Sequence, residues 1–568
     1  MVAKDRKVNF LKVIETKGYD GQENPDLYPA PLEKRRWTTI NYCFFWWAST
    51  FAPADWASGS SLVAVGLTFG QAMAAAVIGS LLSGISMVVT ARPGAQYSIG
   101  YPTLIRSTFG LWGSYIFVFM RGMVAIVWFG IQTYYAGLLL SVALRCVFGH
   151  KWADIPNTLS ENAGITTRDL IAFFLTWIIQ FPIMFVHPSR IKVLWTVKAM
   201  FVPPAVIGFY IWAVVKAGGY SQFDLTPNPA KGGELGWSIM SGINAVMGTL
   251  SPMILNQPDI ARYAKKPHHA GWPQGVTMLI VKSLLFLFST SVASAGKVLY
   301  GVAYWNIWDQ LNAVLDHNWT PLARTGVFYV ATAMGFATIG TNISANSIPF
   351  GADMTGLSPR FLTIVRGQVL CWALGAAIVP WKFLTNAAKF ITFLGSYTVL
   401  MAAILGPLLA DYYVVRRGNI HVPSLFRYST DSIYWFTKGF NWRGCLSWCV
   451  GTGLTISGIV QQYSPGSVGI AAGRMYTLGW LLAVSSSFAT HVVLHKLWPE
   501  PIYPPAYSDV PVTWEYLGYP RQGVFDGEIW VPGKSSEDAR AESGVQSFDE
   551  QEKGGKSDDI DVAMESVY

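Results

Sequence analysis

The sequence predicts an all-α protein that crosses a membrane about twelve times, and three observations carry that prediction. Of 568 residues, 52% are hydrophobic and only 13% charged, roughly half the charged share of a soluble domain. Apolar stretches of roughly 18 to 28 residues, each able to cross a hydrocarbon core of about 30 Å, recur between Ile40 and Leu497. The connecting loops alternate in charge. Arg92 and Arg106, Arg190 and Lys192, Arg262 with Lys265 and Lys266, Arg360, and Arg416 with Arg417 fall on one side, whereas opposite loops such as Trp305 to Thr320 hold fewer basic residues. The positive-inside rule then makes both termini cytoplasmic and the number of spans even.

The spans are expected to begin near Ile40, Gln71, Tyr115, Leu170, Val193, Gly236, Gly275, Gly326, Leu362, Phe390, Gly444 and Thr477. They set a transmembrane domain over residues 39–498 between a cytoplasmic N-terminal tail, 1–38, and a largely disordered cytoplasmic tail, 499–568. In the last segment Pro501, Pro504 and Pro505 precede the polar, acidic run Ser535 to Asp561, which has too little apolar surface to fold alone. Asn24 to Pro29 carries enough turn chemistry to dock under the membrane domain. The first thirty-odd residues lack a cleavable apolar signal, so the first span is expected to serve as one. Asn318-Trp319-Thr320 fits a glycosylation acceptor on an outer loop, although Pro321 follows it.

The same composition excludes several functions. A net charge of +8 is spread over short loops with no basic stripe, which argues against nucleic acid as a partner. Cys43, Cys146, Cys371, Cys445 and Cys449 read as reduced packing residues without zinc-ligand spacing. No intramembrane His pair, carboxylate pair or nucleophile elbow supports an enzyme, and interface packing accounts for His491 and His495 at the end of the last span. No cofactor or metal is expected. The partners expected are the lipid bilayer and a small solute.

Two spans carry helix breakers at mid-depth. The first reads Phe51-Ala52-Pro53-Ala54-Asp55-Trp56-Ala57-Ser58-Gly59-Ser60, and the sixth Met247-Gly248-Thr249-Leu250-Ser251-Pro252, closing with Asn256 to Asp259. A proline withholds a donor and frees a carbonyl, and bare backbone in lipid is costly unless it lines a cavity. Interruptions five spans apart fit an inverted repeat of five plus five helices with the binding site at the breaks, although either alone would also fit a simple kink.

The third span places Trp128 and Gln132 four residues apart on one helix face. A flat ring beside a neutral amide suits a planar heterocycle, though packing against lipid and a neighbouring helix would use the same residues. In the eighth span Asn342 and Asn346 are likewise four apart, and Asn346 is favoured as a ligand. Lys198 in the fifth span and Asp55 in the first are intramembrane charges and hence functional candidates. Lys198 also has an alternative, snorkelling toward the inner surface near Arg190.

Taken with Asn24 to Pro29 ahead of Arg36-Trp37, the Trp128 to Gln132 block, Asn256 to Tyr263, the Gly340 to Asn346 block and Asp411-Tyr412-Tyr413, the chain resembles the nucleobase:cation symporter family 1, in its fungal branch of uracil, allantoin and uridine permeases. The resemblance implies a twelve-helix transporter with the first ten helices as an inverted repeat (the APC/LeuT-like fold) and two extra C-terminal helices. It implies that Trp128 stacks on the solute and that Gln132 and Asn346 bind its lactam edge. Asn244 to Asn256 holds no aromatic, so the sixth helix is expected to offer Thr249 and Ser251 instead. Tyr397 and Met401 resemble an outer gate. Ala337, Gly340 and Thr341 resemble the family's sodium position, but Gly340 has no hydroxyl, so a Lys198 ammonium is expected there and a proton rather than sodium as the coupled ion. The expected function is proton-coupled uptake of uracil or allantoin across the plasma membrane. A nucleoside or thiamine-like permease of the same fold is the alternative substrate reading, and a non-transporting nutrient receptor, with Lys553 and Lys556 as ubiquitin acceptors, the alternative of another class.

Overall fold

The structure is a computed structural model that describes residues 15–16, 23–186, 192–223, 231–505 and 511–518. Lys553 and Lys556 lie outside the described residues, as does Arg190. Among the described residues the secondary structure is helical, apart from two isolated bridges. The main helices are α1 (Thr39–Thr50), α2 (Pro53–Ala64), α3 (Phe69–Tyr97), α4 (Ser114–Phe148), α5 (Thr167–Gln180), α6 (Lys192–Lys216), α7 (Gly233–Leu255), α8 (Trp272–Tyr300), α9 (Pro321–Asn342), α10 (Ile348–Leu357), α11 (Ile364–Ala377), α12 (Ala387–Ala410), α13 (Trp442–Tyr463), α14 (Ile470–Thr477) and α15 (Gly479–Leu497). A helix therefore begins close to each expected span start. Among the described residues eight helices are long and apolar enough to cross a membrane, or nine if α14 and α15, bent by 81° at Leu478, form one span.

The packing repeats with a shift of five spans. The first span, α1 and α2, lies on α8, and its counterpart α7 lies on α3; α3 pairs with α8 and α4 with α9. The α4–α5 contact is matched by α10–α11. These pairings are what exchange of two five-span units produces. The last helices stand outside the repeat, with α12 held against α13 and α15. Small residues let the central helices approach: a Cβ at Gly84 of α3 would sit 2.8 Å from the Gly275 carbonyl oxygen of α8, the close backbone contact that drives helix association in lipid.

The first span breaks where expected, at Phe51 and an extended Ala52. Pro53 then opens α2 at a position where no donor is needed. The sixth span corrects the expectation. Helix α7 runs through Met247 to Pro252, and the interruption is one turn residue, Asn256, before the short helix Gln257–Ala261. The physical reason is local. Pro252 cannot bond the carbonyl four residues back, that of Gly248, and the Tyr397 hydroxyl donates to that oxygen at 2.5 Å, so the helix continues with its loose acceptor satisfied. The eighth span holds a distortion the sequence did not announce, a π turn at Ile343–Ser347 between α9 and α10.

The N-terminal segment docks beneath the bundle. Asn24 Nδ2 donates to the carbonyls of Pro359 and Leu362 at 3.0 Å each, Thr103 Oγ1 to that of Leu27, and Trp37 pairs with the Tyr263–Lys265 backbone. Glu23 and Arg106 form a buried ion pair at 2.7 Å. Within 499–568, residues 511–518 dock on the same face, where Glu515 accepts from Arg92 and from the Tyr412 hydroxyl, each at 2.6 Å.

Candidate substrate and coupling site

Six spans contribute residues to the expected substrate and coupling site. Trp128 is buried on α4, edge-on to Tyr397 with ring centroids 6.2 Å apart and tilted against Phe393 at 5.9 Å. One turn along, Gln132 is buried and its Oε1 has no hydrogen-bond partner. The two asparagines of the eighth span divide their work. Asn342 Nδ2 donates to the Phe129 carbonyl (3.1 Å), Thr133 Oγ1 (3.2 Å) and Gln180 Oε1 (3.0 Å), so it locks the eighth span to α4 and α5. Its Oδ1 accepts from Asn346 Nδ2 at 2.9 Å, which orients the Asn346 amide. Asn342 is thus consumed by structure, whereas Asn346 is positioned by it.

The sixth span contributes Thr249, whose Oγ1 donates to Ser58 Oγ of α2 at 3.0 Å, and Ser251, buried on the same helix. Tyr397 is bound to the Gly248 carbonyl, as described, with Met401 fully buried one turn further along α12. These contacts join α2, α7 and α12.

Lys198 does not snorkel. It is buried on α6, and its Nζ donates to Thr341 Oγ1 at 2.5 Å. Thr341 Oγ1 in turn donates to the Ser49 carbonyl at 3.4 Å. That carbonyl lies four residues before Pro53, as Gly248 lies four before Pro252. In both halves of the molecule, therefore, a carbonyl freed by proline is taken by a hydroxyl from another span. Ala337 and Gly340, fully buried, occupy the turn of α9 just before Thr341. Asp55 is ion-paired with Lys282 of α8, both buried, and its charge also acts on Lys198.

Lys282 escaped the sequence reading, as did Arg121 on α4, which pairs with Asp353 of α10 and with Asp259 at 2.7 Å, its guanidinium 3.9 Å from the Tyr101 ring centroid. Both lie inside apolar runs, so the rule that flagged Lys198 would have found them. Asp259 also accepts the Tyr101 N–H at 2.9 Å, and its ion-pair partner is Arg121. On the face carrying residues 23–37, a cavity of about 330 Å³ runs from Glu33 and Trp37 past Trp195 to Ser344. On the opposite face a vestibule of about 230 Å³ is lined by Tyr134, Arg145, Asp169, Trp305 and Asp309.

This geometry has a match among known proteins. Residues 29–483 fit the model of the permease family for cytosine/purines, uracil, thiamine and allantoin. The chain belongs to that family. The permease is 33% identical over 487 residues to the allantoin permease of Saccharomyces cerevisiae, covering 84% of this chain and 76% of that protein. To the uracil permease of the same yeast it is 32% identical over 507 residues, covering 88% and 79%; to its uridine permease, 30% over 480 residues, covering 84% and 75%. Among solved structures, a nucleobase-cation-symport-1 family transporter in a closed conformation with bromovinylhydantoin bound aligns with a TM-score of 0.67 at 17% identity, covering 86% of this chain and 99% of that one. The permease therefore has the transporter fold anticipated from its sequence and is a multi-pass membrane transporter, not an enzyme.

Proposed function

We propose that the permease takes up uracil or allantoin, or a ureide or lactam with the same amide edge, across the plasma membrane with a proton, its two termini cytoplasmic. The observation that carries this reading is the orphaned Gln132 Oε1 beside Trp128. A buried amide oxygen without a donor costs about 1–3 kcal/mol, a deficit that a solute N–H removes. The ring of Trp128 supplies a stacking face, and the Asn346 amide, held by Asn342, supplies the second polar contact. Relatives named for uracil and for allantoin support this solute class. The uridine permease relative supports a ribosylated solute as the second reading.

Lys198 supports proton coupling. Its ammonium donates to Thr341, the hydroxyl of the resembling sodium position, and Gly340 adds no side-chain oxygen there. Gain and loss of that proton changes what holds the fifth, first and eighth spans together, and so biases the two openings of the bundle. Tyr397 and Met401 then act as the gate on the side away from residues 23–37. Asp55 contributes through Lys282 rather than by binding an ion.

Uptake of radiolabelled uracil, allantoin and uridine by cells lacking their own carriers tests the solute. Saturable uptake of uracil or allantoin, with uridine a poor competitor, is the expected result. Uptake of uridine alone favours the second reading, and no uptake of any of them removes both.

A further inference from the structure

Away from the transport site, the described residues bring three metal-ligating side chains together. Asp411, at the start of the π turn that follows α12, faces His491 and His495, one turn apart on α15. One ligand atom from each lies within 4.8 Å of the others, and the residues are 1%, 0% and 5% exposed. Interface packing, the expectation from sequence, does not account for their polar atoms. His495 Nδ1 lies 3.0 Å from the His491 carbonyl oxygen. A carbonyl only accepts, so Nδ1 carries the proton and Nε2 presents a bare lone pair, buried and without a partner. His491 is fully enclosed and neither ring nitrogen has a hydrogen bond; its Nε2 stands 3.8 Å from Asp411 Oδ1. An imidazole fixed through one nitrogen on a backbone carbonyl, with the other nitrogen bare, is how proteins commonly orient a histidine toward a metal.

We propose that Asp411, His491 and His495 bind a divalent transition cation of the zinc class. Two imidazoles and a carboxylate are a donor set such ions accept. Metal–ligand bonds of about 2.0–2.2 Å require the three atoms to draw closer than they stand, which side-chain rotation on two facing elements supplies. Asp411 already accepts from Arg416 Nε at 3.2 and 3.1 Å and from Thr108 Oγ1 at 3.5 Å, yet its two oxygens have about four lone-pair sites. The Arg416 guanidinium is drawn to the Tyr434 ring, 4.7 Å from its centroid. The ion would fasten the last helix to the segment following the gate-bearing span, an effect on that joint and not on solute recognition.

The test uses the full-length protein, purified in detergent without a histidine tag, stripped by a chelator and titrated with Co2+ and Zn2+. The expected result is one tightly bound equivalent of Co2+ with visible d–d absorption and a Zn2+-dependent rise in thermal midpoint. His491→Gln and His495→Gln, made singly and together, should weaken binding at least tenfold and abolish the rise; the single variants guard against a double variant that does not fold. Equal Co2+ binding by wild type and every folded variant would overturn the site. So would a wild type that binds no metal, or one whose midpoint responds to pH and not to Zn2+.

Discussion

Lys198 and Lys282 show two ways in which one chain holds an ammonium inside a membrane. Lys282 has a carboxylate partner in Asp55, while Lys198 has a hydroxyl. Removing one member of a buried pair strands the other charge at about 3–5 kcal/mol. Lys282→Met should therefore lower thermal stability and folded yield sharply, while the double change Asp55→Asn with Lys282→Gln recovers most of the loss; detergent-solubilised melting curves check this. The two asparagines separate in the same way. Asn346→Ala should weaken apparent solute affinity by roughly tenfold, the worth of about one hydrogen bond with a stranded partner, without changing the melting midpoint. Asn342→Ala strands Gln180 Oε1 and should lower the midpoint as well. Trp128, Gln132 and Asn346 were legible because a four-residue spacing on one helix needs no knowledge of neighbours. That Asn342 is saturated was not legible, because its partners come from α4 and α5, 162 to 213 residues away.

At the level of elements, proline explains both what the sequence revealed and what it hid. Pro53 and Pro252 each free a carbonyl four residues back, and the first of these sits at a true break while the second sits inside an intact helix. The difference was invisible in sequence because the Tyr397 hydroxyl that satisfies Gly248 lies 149 residues further on. Tyr397→Phe leaves that oxygen bare at a cost of about 1–3 kcal/mol, and should raise uptake KM and lower maximal rate by several-fold, read from uptake kinetics at matched expression. The close approach of α3 and α8 makes an equally direct prediction. Gly84→Val places side-chain atoms against the Gly275 carbonyl, 2.8 Å from the new Cβ, and should reduce folded protein in the membrane, as size-exclusion profiles of the solubilised protein would show. The π turn at Ile343–Ser347 had no sequence mark; it accompanies Asn256 Nδ2 donating to the Ala345 carbonyl at 3.3 Å, a contact between spans.

For the whole molecule, the span pattern was readable because lipid imposes length and apolarity on each segment independently. The opening of the bundle was not, since it depends on how spans lean. The face with docked residues 23–37 carries the larger of the two cavities, about 330 Å³, reaching Ser344 within the π turn. Toward the opposite vestibule, Trp128, Phe393 and Tyr397 form a contiguous aromatic layer. The proposed uptake then has solute enter when the Tyr397 contact opens and leave through the cavity on the face of residues 23–37. On the proposed coupling, Lys198 stands where a sodium ion would, and solute moves with a proton. Purified permease in proteoliposomes, given radiolabelled uracil or allantoin under an imposed pH gradient or an imposed sodium gradient, measures this directly. Accumulation driven by the inward proton gradient, unchanged without sodium and abolished by Lys198→Met, is the expected result; accumulation that requires sodium, or that persists under a proton gradient in Lys198→Met, would rule out proton coupling through Lys198.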